Sequence, residues 1–513
     1  MDDTSTPSPE LQVANVDDGT RGGCTGVSAE DLVTRDRSSY DASDVVEELW
    51  TCLALPSEAL SRVQLDADNA PALPSSFKIG VLAQSSIALA ALAAAQLHAL
   101  RNGGEVPRVG VPLQHAVIEF KSERFYTIDG ESPSSPLNAI GGLHKTADGY
   151  IRVHDSFPNH VNGMLRLMGL PKGSTREQLA DKIAAWESIE LENVATVRGD
   201  LAAYALRSYD EWDALPQSTA VANIPILVQS ISSNHHGIHR SKLPRSTNRC
   251  LEGIRVLEMS RVIAAPLCGK TLAAYGADVI WVTSPTLPDL PSIDRDFARG
   301  KKTVQLDIKD EVGKAKLLEL VKDCDVFIQG YRPGSLANYE LSSEDLVKIN
   351  PGIIVANMSA FGPNGPWSGQ RGFDSLVQTC SGMNVSEAQH ADQGETARPL
   401  PCQALDHGSG YLLATGIMAA LYRREFEGGA WQVDVSLAGT MKYLRSLGQY
   451  PGSSGFQCED YKQQADIPPE YLEVRATGFG HMMAVKHCAK IDGCEVGWTC
   501  MPKPLGSDSA EWL

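Results

Sequence analysis

LEGIRVLEMSRVIAAPLCGKTLAAYGADVIWV, residues 251–282, decides the fold. The aliphatic run at 254–259 reads as a strand buried on both faces. The Ala- and Leu-rich stretch 264–275 reads as the following helix, and 277–282 as the next strand. The alternation then continues. Helices are predicted at 314–321 and 341–349, and strands at 325–328 and 352–358. Strands that alternate with helices imply an α/β fold with a parallel sheet and right-handed crossovers. No GxGxxG follows the first strand, so the dinucleotide fingerprint is missing.

Downstream, YLLATGIMAALYRREFEGGAWQVDVSL (411–437) has the character of an earlier stretch, SIALAALAAAQLHALRNGGEVPRVGVPL (86–113). Each is an Ala-rich helix, a two-Gly turn and a Val-alternating strand. Leu97 onto Leu421 and Val109 onto Val433 give a shift of 324 residues, with the Gly pairs offset by one more. Projected back by that shift, Asp406 falls on Leu82. One copy carries a carboxylate beside its helix, and the other carries an aliphatic residue.

The 513 residues suffice for several domains or for two halves of one assembly. A net charge of −18 argues against a nucleic-acid or anionic-membrane partner while leaving room for a local basic pocket. The 11 cysteines are odd in number and include no CxxC pair, so neither a disulfide scaffold nor a zinc site is expected. Free thiols place the chain in a reducing, cytoplasmic setting. The start, MDDTSTPSPELQ, lacks the character of a leader peptide. The apolar stretch 79–100 is interrupted by Gln84, Ser85, Ser86, Gln96 and His98 and reads as a buried helix, not a membrane span.

Composition divides the rest. Residues 1–40 read as a disordered or loosely packed tail. A helical region with a Pro interruption follows at 42–61. The segment 41–135 reads as a partial, degenerate copy of the large domain, and 136–230 as a small α/β domain. In the latter, Asp148-Gly149 turns into a strand at 150–153, and Thr175 with Gln178 forms a capping box. A linker at 231–250 holds His235, His236 and His239, read as polar linker residues. Residues 251–450 form the second large domain, and 451–513 a tail returning to it.

The run from 251 onward resembles the family III CoA-transferases, a family that includes acyl-CoA racemases and carnitine–CoA-transferase-like proteins. The resemblance rests on LEGIRVLEMSRVIAAPLCGKTLAAYGADVIWV, then FARGKKTVQLDIKD (297–310) and DCDVFIQGYRPGSLANYEL (323–341). It continues through INPGIIVANMSAFGPNGPWSGQRGFDSLVQTCSGM (349–383), PCQALDHGSGYLLATGIMAALYRREFEGG (401–429) and WQVDVSL (431–437). PKPLGSDSAEW (502–512) resembles the family's closing segment. The resemblance implies a Rossmann-like large domain with a smaller α/β domain. It also implies an incomplete tandem duplication, whose first copy has lost its CoA-binding front and whose second has lost its small domain.

The resemblance implies a CoA-transferase that moves CoA between an acyl-CoA and a small carboxylic acid, as a monomer or homodimer, with CoA as cosubstrate and no metal. Asp406 is the implied nucleophile, forming a mixed anhydride and then an enzyme thioester. A carboxylate suits that work because its anhydride stays reactive. The alternative for Asp406 is a helix cap. His407 is read as a proton-transfer or hydrogen-bonding neighbour, and Asp374 in RGFDSLVQ as a second acid. Gly408 and Gly410 are read as allowing close substrate approach. The family's racemases carry His immediately before the acid at 374. Phe373 stands there and cannot exchange a proton, which disfavours racemisation.

For CoA, the expected contacts are Arg261, Val262, Ile263 and Ala264 after the first strand, with Arg299, Lys301, Lys302 and Arg332 as phosphate partners. Trp281 and Thr283 replace charged residues common in the family near the adenosine end. Gly362, Gly365 and Gly369 are read as pocket architecture, and Gly141 and Gly142 as a loop approaching the site. Alternatives are a 2-methylacyl-CoA racemase or isomerase, another CoA-dependent enzyme of this fold, and a non-catalytic assembly partner.

Overall fold

The computed structural model describes residues 35–66, 69–135, 140–198, 201–231 and 247–512. Most of the 1–40 tail, and His235, His236 and His239, lie outside the described residues.

The second half is organised by a seven-stranded sheet. Its order is Lys301–Gln305, Asp278–Thr283, Arg255–Met259, Val326–Gln329, Ile354–Ser359, Trp431–Ser436 and Ile226–Ser230. The first six run parallel, and the last is an antiparallel edge. Numbered along the chain, the six parallel strands lie in the order 3-2-1-4-5-6. That is the doubly wound arrangement, and its connections reverse direction between Arg255–Met259 and Val326–Gln329. The predicted strands and helices match within a few residues. The edge strand Ile226–Ser230 comes from the segment assigned to the small domain, so that segment ends inside the large sheet.

The small domain is a three-stranded antiparallel sheet of Gly142–Lys145, Tyr150–Val153 and Ala203–Ala205. Ile151, Leu165, Leu179 and Leu191 close its core. The predicted capping box is present: Thr175 accepts the N–H of Gln178, and the Gln178 side chain accepts the N–H of Thr175.

The helix Ile79–Asn102 lies against the helix Ala404–Glu427, and both have 24 residues. The first is apolar and long enough to cross a membrane, yet it is buried within the fold. The helices and their capping glycines, Gly103 and Gly428, correspond at a shift of 325 residues, one more than the strands. Asp406 therefore matches Val81 in place of Leu82. In either register the first copy has no carboxylate.

Small residues let these helices approach closely. A Cβ on Gly408 would lie 3.0 Å from Leu82, and one on Gly410 would lie 2.7 Å from the Ala264 carbonyl. One on Gly416 would lie 2.5 Å from Val433 on the sheet. These glycines bring the helix backbone against Leu82, Ala264 and Val433.

The tail reaches the large sheet only at its end. Before that, the hairpin Leu472–Thr477 and Gly480–Val485 pairs with Thr127–Ile128, and Lys490–Ile491 pairs with Val109–Val111. The last residues then dock on the large sheet. Asp508 donates its backbone N–H to Thr303 at 3.1 Å, and the Trp512 indole donates to the Leu320 carbonyl at 3.2 Å.

Candidate active site

Beyond the C-terminal ends of the parallel strands, at the reversal of the strand order, lies a cleft of about 610 Å³. Turns after four strands form one wall: residues 261–265, 330–335, 358–360 and Leu437. Phe157, Asn159 and His160 of the small domain face them. Both halves of the chain thus line a single cleft, with Asp406 among the lining residues.

Asp406 is the third residue of its helix, inside it and not before it. The helix extends further toward the N-terminus than the Gly408 and Gly410 pair suggests, because tertiary packing outweighs the helix propensity of glycine. Asp406 does not cap this helix. Asp374 does: its Oδ2 accepts the backbone N–H groups of Leu405 at 2.8 Å and Asp406 at 3.0 Å. Its Oδ1 accepts from the Gln378 amide.

The two carboxyls divide their duties. Burial pushes Asp374 up to about 6, against the N–H donors of Asp406, Gln378 and Leu405. Burial, followed by the charges of Asp374 and Glu123, raises Asp406 well above the usual carboxylate range. We place the shared negative charge on Asp374, which accepts three hydrogen bonds, and the proton on Asp406 when the cleft is empty.

His407 faces away from the cleft, into the joint between halves. Its Nε2 lies 3.1 Å from Glu123 Oε2, with Phe120 and Phe297 beside the ring. Burial works to raise the Glu123 carboxyl, but the hydrogen bond and charge from His407, with Arg124, outweigh it and hold the group low.

Val262 adopts φ 71°, a left-handed conformation costly for a β-branched residue. It sits in the turn between Arg255–Met259 and the helix Ala264–Ala274. That helix begins at the cleft with Ile263 as its N-cap and no side-chain cap, so its N-terminal N–H groups favour an anion. Arg261, Arg332 and Arg371 add three guanidinium groups to the lining. Arg261 packs over the Phe157 ring at 4.2 Å and donates to the Pro288 carbonyl. A side cavity of about 130 Å³ shares Arg261, Val262 and Tyr331 and is lined further by Trp281, Thr283 and Asp294. Burial raises Asp294 to about 7.

Three expected phosphate partners lie elsewhere. Arg299 is buried against Asp296 at 2.5 Å. Lys301 is buried against Glu258 at 2.8 Å. Lys302 points to the opposite face of its strand, near Asp278 at 3.3 Å and the Glu511 carbonyl at 3.2 Å. Cations this deep require paired carboxylates, and Asp296 and Glu258 supply them. Gly141 and Gly142 also lie off the cleft, against Asp155 and Arg176. Gly362 and Gly365 shape the loop that the Gln217 side chain pins through Phe361 and Asn364.

One residue of the cleft wall belongs to a pair that the sequence reading passed over: His160 lines the cleft, and His154 packs against it and against Phe373. His154 and His160 approach at 2.9 Å between Nδ1 atoms, and His154 stacks on Phe373 with ring centroids 3.6 Å apart. Burial keeps both imidazoles low, His160 at about 4, so both are neutral near pH 7. The only sequence signal was two histidines in VHDSFPNH, at the strand-to-helix turn of the small domain.

Residues 251–469 match the model of CoA-transferase family III. The second half of the chain thus resembles the family III CoA-transferases. It is 34% identical to a probable fatty acyl-CoA transferase, Rv3272, of Mycobacterium tuberculosis over 200 residues, covering 36% of this chain and 50% of that protein. It is 25% identical to the acetyl-coenzyme A transferase nodX of Hypoxylon pulicicidum over 472 residues, covering 82% and 79%. A formyl-CoA:oxalate CoA-transferase of Afipia carboxidovorans is 34% identical over 203 residues, covering 37% of this chain and 46% of that one. The chain thus spans about half the length of the mycobacterial relative. A crystal structure of Rv3272 is 33% identical with a TM-score of 0.35, covering 39% of this chain and 56% of that one.

Proposed function

We propose that the protein transfers CoA between an acyl-CoA and a small carboxylic acid through Asp406. The observation that carries this reading is a carboxyl on the cleft wall whose charge is disfavoured by burial and by two neighbouring acids. Such a group gains nucleophilicity once ionised. An Asp406 oxygen attacks the thioester carbonyl, the C–S bond breaks, and CoA leaves as thiolate. The product is an acyl-aspartyl anhydride. The thiolate then attacks the Asp406 carbonyl carbon, releasing the donor acid and leaving an aspartyl thioester of CoA. The acceptor carboxylate reverses both steps.

The open helix N-terminus, Arg261 and Arg332 suit the phosphates of CoA, with Arg371 beside them. Val262, Ile263 and Ala264 line the path of the pantetheine arm, and Trp281 with Thr283 frames the side cavity where an adenosine ring fits. Asp374 positions the reacting helix. His407 links it to Glu123 and contributes no proton. The halves divide the work: the second supplies nucleophile and phosphate contacts, and the first supplies the opposing wall. One active site per chain follows. No step requires a metal.

A second reading, isomerisation at the acyl 2-carbon, is favoured by one feature, the neutral imidazole of His160 on the same cleft. Incubation with a panel of acyl-CoAs and free acids in deuterium oxide separates the two. Transfer predicts new acyl-CoA only when an acceptor acid is present. Deuterium at the 2-carbon without an acceptor and without exchange of CoA would replace it with isomerisation.

A further inference from the structure

Three segments far apart in sequence meet at one thiol pair. His98 lies near the end of the helix Ile79–Asn102, Cys250 precedes the strand Arg255–Met259, and Cys494 follows the strand Lys490–Ile491. Ligand atoms of the three lie within 4.8 Å of one another. The two sulfurs are within hydrogen-bonding reach. Other thiols behave differently: Cys324, Cys380 and Cys458 each donate to a carbonyl three residues back.

We propose that His98, Cys250 and Cys494 bind one zinc ion that fastens the first half to the second. Zinc takes thiolate and imidazole ligands at about 2.3 Å and 2.0 Å, which sets tetrahedral sulfurs about 3.8 Å apart. The cluster already approaches that span. Two thiolates and an imidazole match zinc in ligand type.

Neighbouring groups hold the ligands in place. The Asn102 amide nitrogen lies 3.0 and 3.1 Å from the ring nitrogens of His98 and keeps the ring beside Asn102; as a donor it occupies a ring lone pair, and that contact must give way when the imidazole takes the ion. The Asn102 side chain binds Thr247 in both directions, donating to its carbonyl at 3.1 Å and accepting its N–H at 3.2 Å. Arg101 donates to the carbonyls of Cys250 and Glu252, each at 2.5 Å. The Glu495 N–H donates to the Asn248 carbonyl at 3.3 Å. Helix, domain entry and tail are thus already clamped around the sulfurs.

The site is remote from the chemistry. Leu82, which abuts Gly408, lies about 24 Å along the helix from His98. Its role is structural. Binding forms two Zn–S bonds and one Zn–N bond, and two thiol protons go to solvent. The fourth position is left to water. No CxxC spacing announced the site because each ligand comes from a different segment.

The test uses the full chain, reduced and freed of metal with chelator, titrated with zinc against a chromophoric competitor and separately with cobalt(II). Uptake of one zinc per chain, a thiolate-to-cobalt charge-transfer band and a raised thermal midpoint are expected. Cys494→Ser, at a half-buried turn, should lose all three; Cys52→Ser, at an exposed thiol, should keep them. No stoichiometric uptake by the folded wild type, or equal uptake by Cys494→Ser, overturns the proposal. So does a mass two hydrogens lower, with Cys250 joined to Cys494 and no metal bound after aerobic purification.

Discussion

Asp374 Oδ2 accepts the backbone N–H of Asp406 at 3.0 Å, so one carboxylate caps the helix on which the other is mounted. A single relationship fixes position and charge together. The cap holds Asp406 at the cleft, and the charge on the cap opposes ionisation of Asp406. On the proposed mechanism Asp406 is the nucleophile, held toward its protonated form by burial and by the charge of Asp374, and reactive once it loses that proton.

The pH profile follows. The reacting form of Asp406 is ionised, and its pKa is raised, so turnover should climb as pH rises through that raised value. Asp374→Asn removes the neighbouring charge while its amide oxygen can still accept N–H groups. Its ascending limb should move to lower pH, with a smaller loss of rate than Asp406→Asn. Stopped-time assays across pH check this; an unmoved limb would contradict the charge assignment.

Stability should move the opposite way. A carboxyl with a raised folded pKa binds more protons folded than unfolded, so stability falls as pH rises from the unfolded pKa, about 4, toward the folded one. Each pH unit in that window costs about 1.4 kcal/mol. Asp406→Asn removes the penalty and should raise the thermal midpoint at pH 7 while abolishing turnover. Calorimetry decides this; a lower midpoint would show that Asp406 supports the fold.

The basic residues should separate into two groups. Arg332→Ala and Arg261→Ala should raise KM for acyl-CoA several-fold, while Lys302→Ala leaves it unchanged. Lys301→Ala strands buried Glu258 and should cost about 3–5 kcal/mol of stability, the range for breaking buried pairs. Kinetics and denaturant unfolding together distinguish binding from folding effects.

Close packing of the central helix gives a fourth expectation. Gly416→Ala places a methyl 2.5 Å from Val433 and should destabilise by about 1–3 kcal/mol with KM preserved. An unchanged unfolding midpoint would show that the helix and sheet separate freely.

These residues also show what a sequence can carry. The strand at 255–259 and the Thr175 cap were legible because they depend on local pattern and nearby partners. The cations of ARGKK were legible as charges but not as buried pairs, since Glu258 and Asp296 become partners only through packing. His154 and His160 escaped for the same reason: Phe373, on which His154 stacks, lies far along the chain. Asp406 was singled out by its likeness to a family motif. Its place as third helical residue, with the cap delegated to Asp374, emerged only from the fold.

The most direct test is to trap the proposed intermediate. The full chain is incubated with acyl-CoA, treated with hydroxylamine and digested, and the peptide spanning Asp406 is weighed. The account predicts a hydroxamate on Asp406, dependent on acyl-CoA and missing in Asp406→Ala. Sustained CoA transfer with Asp406 unmodified, or modification that persists on the same peptide in Asp406→Ala, would contradict it.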